Sequence, residues 1–157
     1  MTEETQTTEK NLKQKTQRSP NFPAVSLKKG IELTKTIYDQ DKISKIPERI
    51  AHERWGYKPY SSVAGQLVGA VKAYGLIEVE GKGKNRYVRI SDTGRRIVLE
   101  TQDKLKLLKK AALLPHINRT LWEKYEGYLP QDDVLREYLI FTLKFNEDSV
   151  DYFITQF

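Results

Sequence analysis

Six cations crowd one short stretch: Lys82, Lys84, Arg86, Arg89, Arg95 and Arg96 stand between positions 82 and 96 with a single acid, Asp92. Ammonium and guanidinium groups at that density suit a row of phosphates. Each phosphate they neutralise releases counterions, so the binding they support weakens with salt. The two lysines sit in Gly81-Lys82-Gly83-Lys84-Asn85, a glycine-bearing loop of the kind that joins two strands. An arginine beside such a loop can also enter a minor groove. The competing reading is a solvated hairpin, because lysines are ordinary in exposed turns and protect sheet edges.

A second set lies on the helix predicted from Ser61 or Ser62 to Tyr74. With Val63, Leu67, Val71 and Tyr74 turned inward, its outer side carries Ser62, Gly65, Gln66, Gly69, Ala73 and Lys72. Gln66 can pair with an adenine edge and Ser62 with a phosphate. The helix has no arginine, so close sequence reading by this helix alone is not expected. Gly65, Gly69 and Ala73 recur every four residues, and two glycines inside a helix cost about 1 kcal/mol each. Close approach of another backbone would offset that cost. The preceding helix is the first candidate; a DNA strand or a partner helix are the others.

No constellation asks for catalysis. His52, in Ala51-His52-Glu53-Arg54-Trp55, lacks the histidine four residues on that a zinc-protease motif requires, and is expected to be exposed. His116 follows Pro115 at a helix start, and Asp132 and Asp133 suit the positive end of a helix. The glycine–lysine loop lacks the spacing of a nucleotide-binding loop. With no cysteine and two histidines, thiol chemistry, disulfides and Cys- or His-rich metal centres are excluded, and no cofactor is expected.

The 157 residues suffice for one domain with an extension. The net charge of +6 is uneven. Residues 26–100 hold fifteen basic and nine acidic side chains, whereas 123–157 hold three basic and eight acidic. A basic body with an acidic end favours a polyanionic partner near the body. The sequence holds neither a membrane-length apolar run nor a signal-peptide core, so a soluble, cytoplasmic protein without membrane contact is the expectation.

Several elements must position these residues. Residues 1–21 hold Leu12 as their one strong apolar side chain after the start and are expected to form a disordered basic tail. Ser26 caps a helix bearing Leu27, Ile31, Thr34, Ile37 and Tyr38. Ile43 to Ile46 allows one bridge of sheet, and Pro47 to Trp55 a second helix with Ile50 and Ala51 inward. The third helix leads to strands at Leu76–Val79 and Arg86–Ile90, and Ser91 caps the next helix. Helices are then expected over 102–114 (Leu105, Leu108, Ala112), 116–125 (Ile117, Leu121, Tyr125), 131–143 (Val134, Tyr138, Leu139) and 147–156 (Val150, Phe153, Ile154), with Asn146 capping the last.

Helix, short strand, helix, helix, strand, basic turn, strand is the order of a winged helix-turn-helix, and residues 26–97 resemble that superfamily. Tyr74-Gly75-Leu76-Ile77-Glu78 and Val88-Arg89-Ile90-Ser91-Asp92-Thr93-Gly94 are similar to its junctions around the wing. From Ser19 onward the chain also resembles a group of uncharacterised prokaryotic winged-helix proteins of similar length, through Ser19-Pro20-Asn21-Phe22-Pro23, Trp55-Gly56-Tyr57, Ala111-Ala112-Leu113 and Phe145-Asn146. The resemblance implies a mainly α fold with a small β-hairpin: a winged-helix domain over 22–100 and a helical extension over 101–157. The expected function is non-enzymatic binding of double-stranded DNA, as a small transcriptional regulator or chromosome-associated factor. Its contacts would be Ser62, Gln66, Lys72, Lys82, Lys84, Arg86, Arg89 and Arg95. The alternative is a protein–protein adaptor or homodimer using the nine aromatics of the C-terminal third.

Overall fold

Ser26, Ser61, Ser91 and Asn146 each accept a hydrogen bond from the amide three residues on, so four helices start at side-chain caps the sequence announces. The computed structural model describes residues 18–157. The elements run α1 (Leu27–Asp41), β1 (Ile46–Pro47), α2 (Glu48–Arg54), α3 (Ser62–Ala73), β2 (Ile77–Glu80), β3 (Tyr87–Ile90), α4 (Asp92–Val98), α5 (Lys104–Ala112), α6 (His116–Lys124), α7 (Asp132–Glu137) and α8 (Glu147–Gln156). A 3₁₀ turn, Gly83–Asn85, fills the hairpin loop, and a π-helical segment, Tyr138–Thr142, continues α7. The protein is mainly helical with one small antiparallel sheet. Most of the expected tail, 1–17, lies outside the described residues.

The sheet has the order β1-β3-β2. β2 and β3 form the hairpin, with Val79 opposite Val88 and Glu78 opposite Arg89. β1 adds Ile46 opposite Val88 and Pro47 opposite Tyr87. Pro47 lacks an amide proton and fits this edge position, so the helix expected to begin there starts one residue later. The first turn of α4 lies on the carbonyl of Leu76: a Cβ on Gly94 would stand 2.2 Å from that oxygen. The Ser91 hydroxyl donates to the Gly75 carbonyl at 2.6 Å, closing the hairpin's base.

Two hydrophobic clusters form the interior. The first gathers Leu33, Ile37, Leu67, Val68, Val71, Leu76, Val88 and Ile97, and receives Ala111 from α5. The second gathers Ile117, Leu121, Leu135, Leu139, Phe145, Val150 and Phe153, and receives Phe22 from before α1. The chain therefore crosses between the clusters at both ends. Among the described residues, no helix is long and apolar enough to cross a membrane.

On three helices one residue expected inside is exposed instead. On α3, Ala64, Leu67, Val68, Ala70 and Val71 are buried, while Val63 is exposed. On α5, Leu105 is 81% exposed and Ala111 is buried; on α7, Val134 is exposed and Leu135 buried. Beside Val63 and Val134 an apolar neighbour, Ala64 and Leu135, is buried instead, whereas Leu105 is flanked by lysines and α5 packs through Leu107, Leu108 and Ala111. Leu67, Val71, Tyr74 and Leu139 face inward as expected.

Candidate nucleic-acid interface

The exposed side of α3 carries Ser62, Val63, Gly65, Gln66, Gly69 and Lys72, with Ala73 half-buried. A Cβ added to Gly65 or Gly69 would meet nothing within 4 Å. The expected packing of the two glycines of this stripe against the preceding helix is therefore overturned: Gly65 and Gly69 face open space. Ser61 satisfies the Ala64 amide at the N-terminus of α3, at 3.3 Å. The remaining first-turn amide dipoles give that end a partial positive charge.

The turn entering α3 is held by an unexpected residue. His52 is buried, at 1% exposure, not exposed as its sequence context suggested. Its Nδ1 accepts the Tyr60 amide at 2.9 Å, which fixes the ring proton on Nε2. That Nε2 stands 3.5 Å from Glu48 Oε1 without completing a hydrogen bond. Glu48 Oε2 lies 3.2 Å from Arg86 Nε. The chain Arg86–Glu48–His52–Tyr60 thus ties the loop end of the hairpin to the turn before α3.

Tyr60 completes the link on the surface. Its hydroxyl donates to the Lys84 carbonyl at 3.5 Å, and the Lys84 ammonium lies 6.0 Å from its ring centroid. Backbone φ of +62° at Tyr60 aims the ring toward the hairpin tip. The tip and the start of α3 are therefore neighbours.

Four of the six cations are paired with carboxylates. Lys82 and Lys84 are exposed at the tip, and neither forms an ion pair among the described residues. Arg86 is held by buried Glu48. Arg89 pairs with Glu78 at 3.0 Å on the outer face of the sheet, where Lys45 pairs with Glu80 at 2.5 Å. That face is charge-balanced, and the Lys45 ammonium holds the Glu80 carboxyl below its ordinary value. Arg95 and Arg96 both meet Asp92, and Arg96 also meets Asp103. Their helix, α4, packs on α1 and α5. The expected single ridge of cations is thus divided by carboxylates.

What remains together is Ser62, Gln66 and the N-terminus of α3 with Lys84 beside Tyr60 and Lys82 next along the tip. Lys58 in the same turn and Lys72 at the far end of α3 are also exposed and without an ion pair among the described residues. Lys58 and Tyr60 escaped the sequence reading because only the fold brings their turn to the hairpin. In comparisons with known proteins, the chain matches no protein-family model, no curated protein and no solved structure.

Proposed function

We propose that the chain is a non-enzymatic DNA-binding protein of winged helix-turn-helix type, a small transcriptional regulator or chromosome-associated factor. Its α3 enters a groove of duplex DNA, and Lys82 and Lys84 lie along the flanking phosphates. The observation that carries this reading is the adjacency of an open, small-residue helix face to an unpaired cationic hairpin tip, joined through Tyr60 and Lys84. Gly65 and Gly69 let a phosphate backbone or base edge come close. Ser62 and Gln66 supply hydrogen-bonding groups, and Lys58 and Lys72 supply further charge at the two ends of α3. Arg89 and Arg95 contribute less, because each already has a carboxylate partner.

The test is a titration against duplex DNA, single-stranded DNA and RNA at several salt concentrations. With two to four phosphates neutralised, the logarithmic salt slope for duplex DNA is expected at roughly −2 to −4. Lys82→Glu with Lys84→Glu should reduce the slope's magnitude by about 2 and lower affinity by about tenfold or more. Arg89→Gln should change affinity less than about threefold. A larger loss from Arg89→Gln than from the lysine pair would move the contact from the tip to the sheet face. Equal binding of all three nucleic acids, or of none, would refute the duplex reading.

A further inference from the structure

Where the two hydrophobic clusters meet, the protein forms an open-sided cavity of about 820 Å³. Leu27, Ile31, Tyr74 and Leu108 line it from the side of the first cluster, and Leu121 and Phe153 from the second. The Tyr74 hydroxyl is spent on the Val25 carbonyl at 2.8 Å, and burial pushes its pKa up to about 12. It therefore stays a neutral donor and leaves its ring as wall. On the open side Trp122, Tyr128 and Leu129 remain 45%, 83% and 56% exposed. The volume falls within the roughly 300–1,000 Å³ of small-molecule sites, which recur at junctions between packed units.

The polar groups of the lining have one sign in excess. The charged side chains are Lys28, Lys104, Lys109 and Glu32, three ammoniums and one carboxylate, beside the neutral polar groups of Asn118, Gln156, Trp122, Tyr125 and Tyr128. Lys104 pairs with Glu100, an exposed residue outside the lining, and the Lys109 ammonium lies 5.5 Å from the Trp122 ring. Lys28 forms no ion pair or hydrogen bond among the described residues. The Gln156 carbonyl accepts the Ser26 amide, which leaves its NH₂ group as a donor.

From the apolar walls and the cationic rim we infer that this cavity binds a small amphiphilic anion, a carboxylate with an apolar body. The body lies between α1, α5, α6 and α8, and the carboxylate meets Lys28 and Lys109. A neutral apolar body alone would leave the rim charges unused, and an amphiphilic cation would be repelled by them. The inference stands apart from the nucleic-acid reading, since neither Lys82 nor Lys84 lines the cavity.

Calorimetric titration of the full chain with decanoate, decanol and decylammonium, below micelle formation, tests it. Decanoate should bind saturably and at least about tenfold more tightly than decylammonium. Octanoate should bind more weakly, by up to about fourfold for each methylene removed. Lys28→Glu with Lys109→Glu, both surface changes, should reverse the preference between anion and cation. Ala112→Phe, which fills the cavity from α5, should abolish decanoate binding with the circular dichroism unchanged. If Ala112→Phe does not fold, the lysine pair decides alone. Absent or headgroup-independent binding would overturn the inference. So would a dimer formed through this opening that decanoate does not dissociate.

Discussion

Glu48 presents its two carboxylate oxygens to two different partners while only 5% exposed, with Arg86 on one side and His52 on the other. A buried carboxylate that loses its cation keeps the desolvation cost and loses the attraction. Arg86→Met retains most of the apolar stem and removes the charge, so it isolates that effect. The expected destabilisation is about 2–3 kcal/mol, below the value for a fully buried pair because water reaches Arg86. Adding Glu48→Gln should recover at least half of it, since no buried charge then remains. Urea unfolding of the two variants measures both; equal stability of Arg86→Met and the parent would mean that Glu48 needs no cation. The network itself was not legible, since His52 was expected exposed, but the helix face that carries it was in part. Glu48, Ala51 and His52 stand at i, i+3 and i+4 on one helical face, and Ala51 was expected inside. Arg86 could not be assigned to it, because residues 38 positions apart meet only through the pairing of β1 with β3.

Helix starts read well from sequence because a cap is a local event: a Ser or Asn side chain bonds an amide three residues on, whatever surrounds it. Helix faces read less well. For α3, Leu67 and Val71 satisfy both the expected face and the observed one, and only Ala64, Val68 and Ala70 distinguish them. Alanine carries little hydrophobic weight, so Val63 looked like the inward residue. The same helix yields a prediction in two parts. Gly65→Ala and Gly69→Ala put a methyl into open space, and each should stabilise the free protein by about 1 kcal/mol. If α3 enters a groove of DNA, the more stable double variant should bind duplex more weakly than the parent. Gly94→Ala is the control in α4: its methyl would strike the Leu76 carbonyl, and it should cost about 3 kcal/mol. Thermal unfolding with a parallel DNA titration separates the cases. Destabilisation by the α3 alanines would mean that the glycines serve the fold, and unchanged DNA affinity would remove α3 from the interface.

Charge and packing divide the molecule along the same line. The unpaired cations of the hairpin tip belong to the part built on the first cluster, and the acidic residues 123–157 belong to the second. That division was legible as composition, and Phe22 between Pro20 and Pro23 suits an extended segment laid on the domain, but its partners among the C-terminal helices were not legible. There Phe22 stacks on Phe145 with ring centroids 5.7 Å apart and meets Phe153 edge-on at 5.3 Å. The Ser19 hydroxyl accepts the Asn146 amide at 2.9 Å, Gln156 accepts the Ser26 amide at 3.1 Å, and the Tyr152 hydroxyl donates to the Ala24 carbonyl. This segment straps α8 to the start of α1, so its loss should loosen the second cluster first. Phe22 is half-buried, and Phe22→Ala should cost about 2 kcal/mol, less than removal of a fully buried phenylalanine. Amide hydrogen exchange should locate that cost in α6, α7 and α8, while α3, β2 and β3 keep their protection. An equal loss of protection everywhere would mean that the clusters unfold as one unit. In that case the strap would act on the hairpin and α3 as strongly as on the helices it touches.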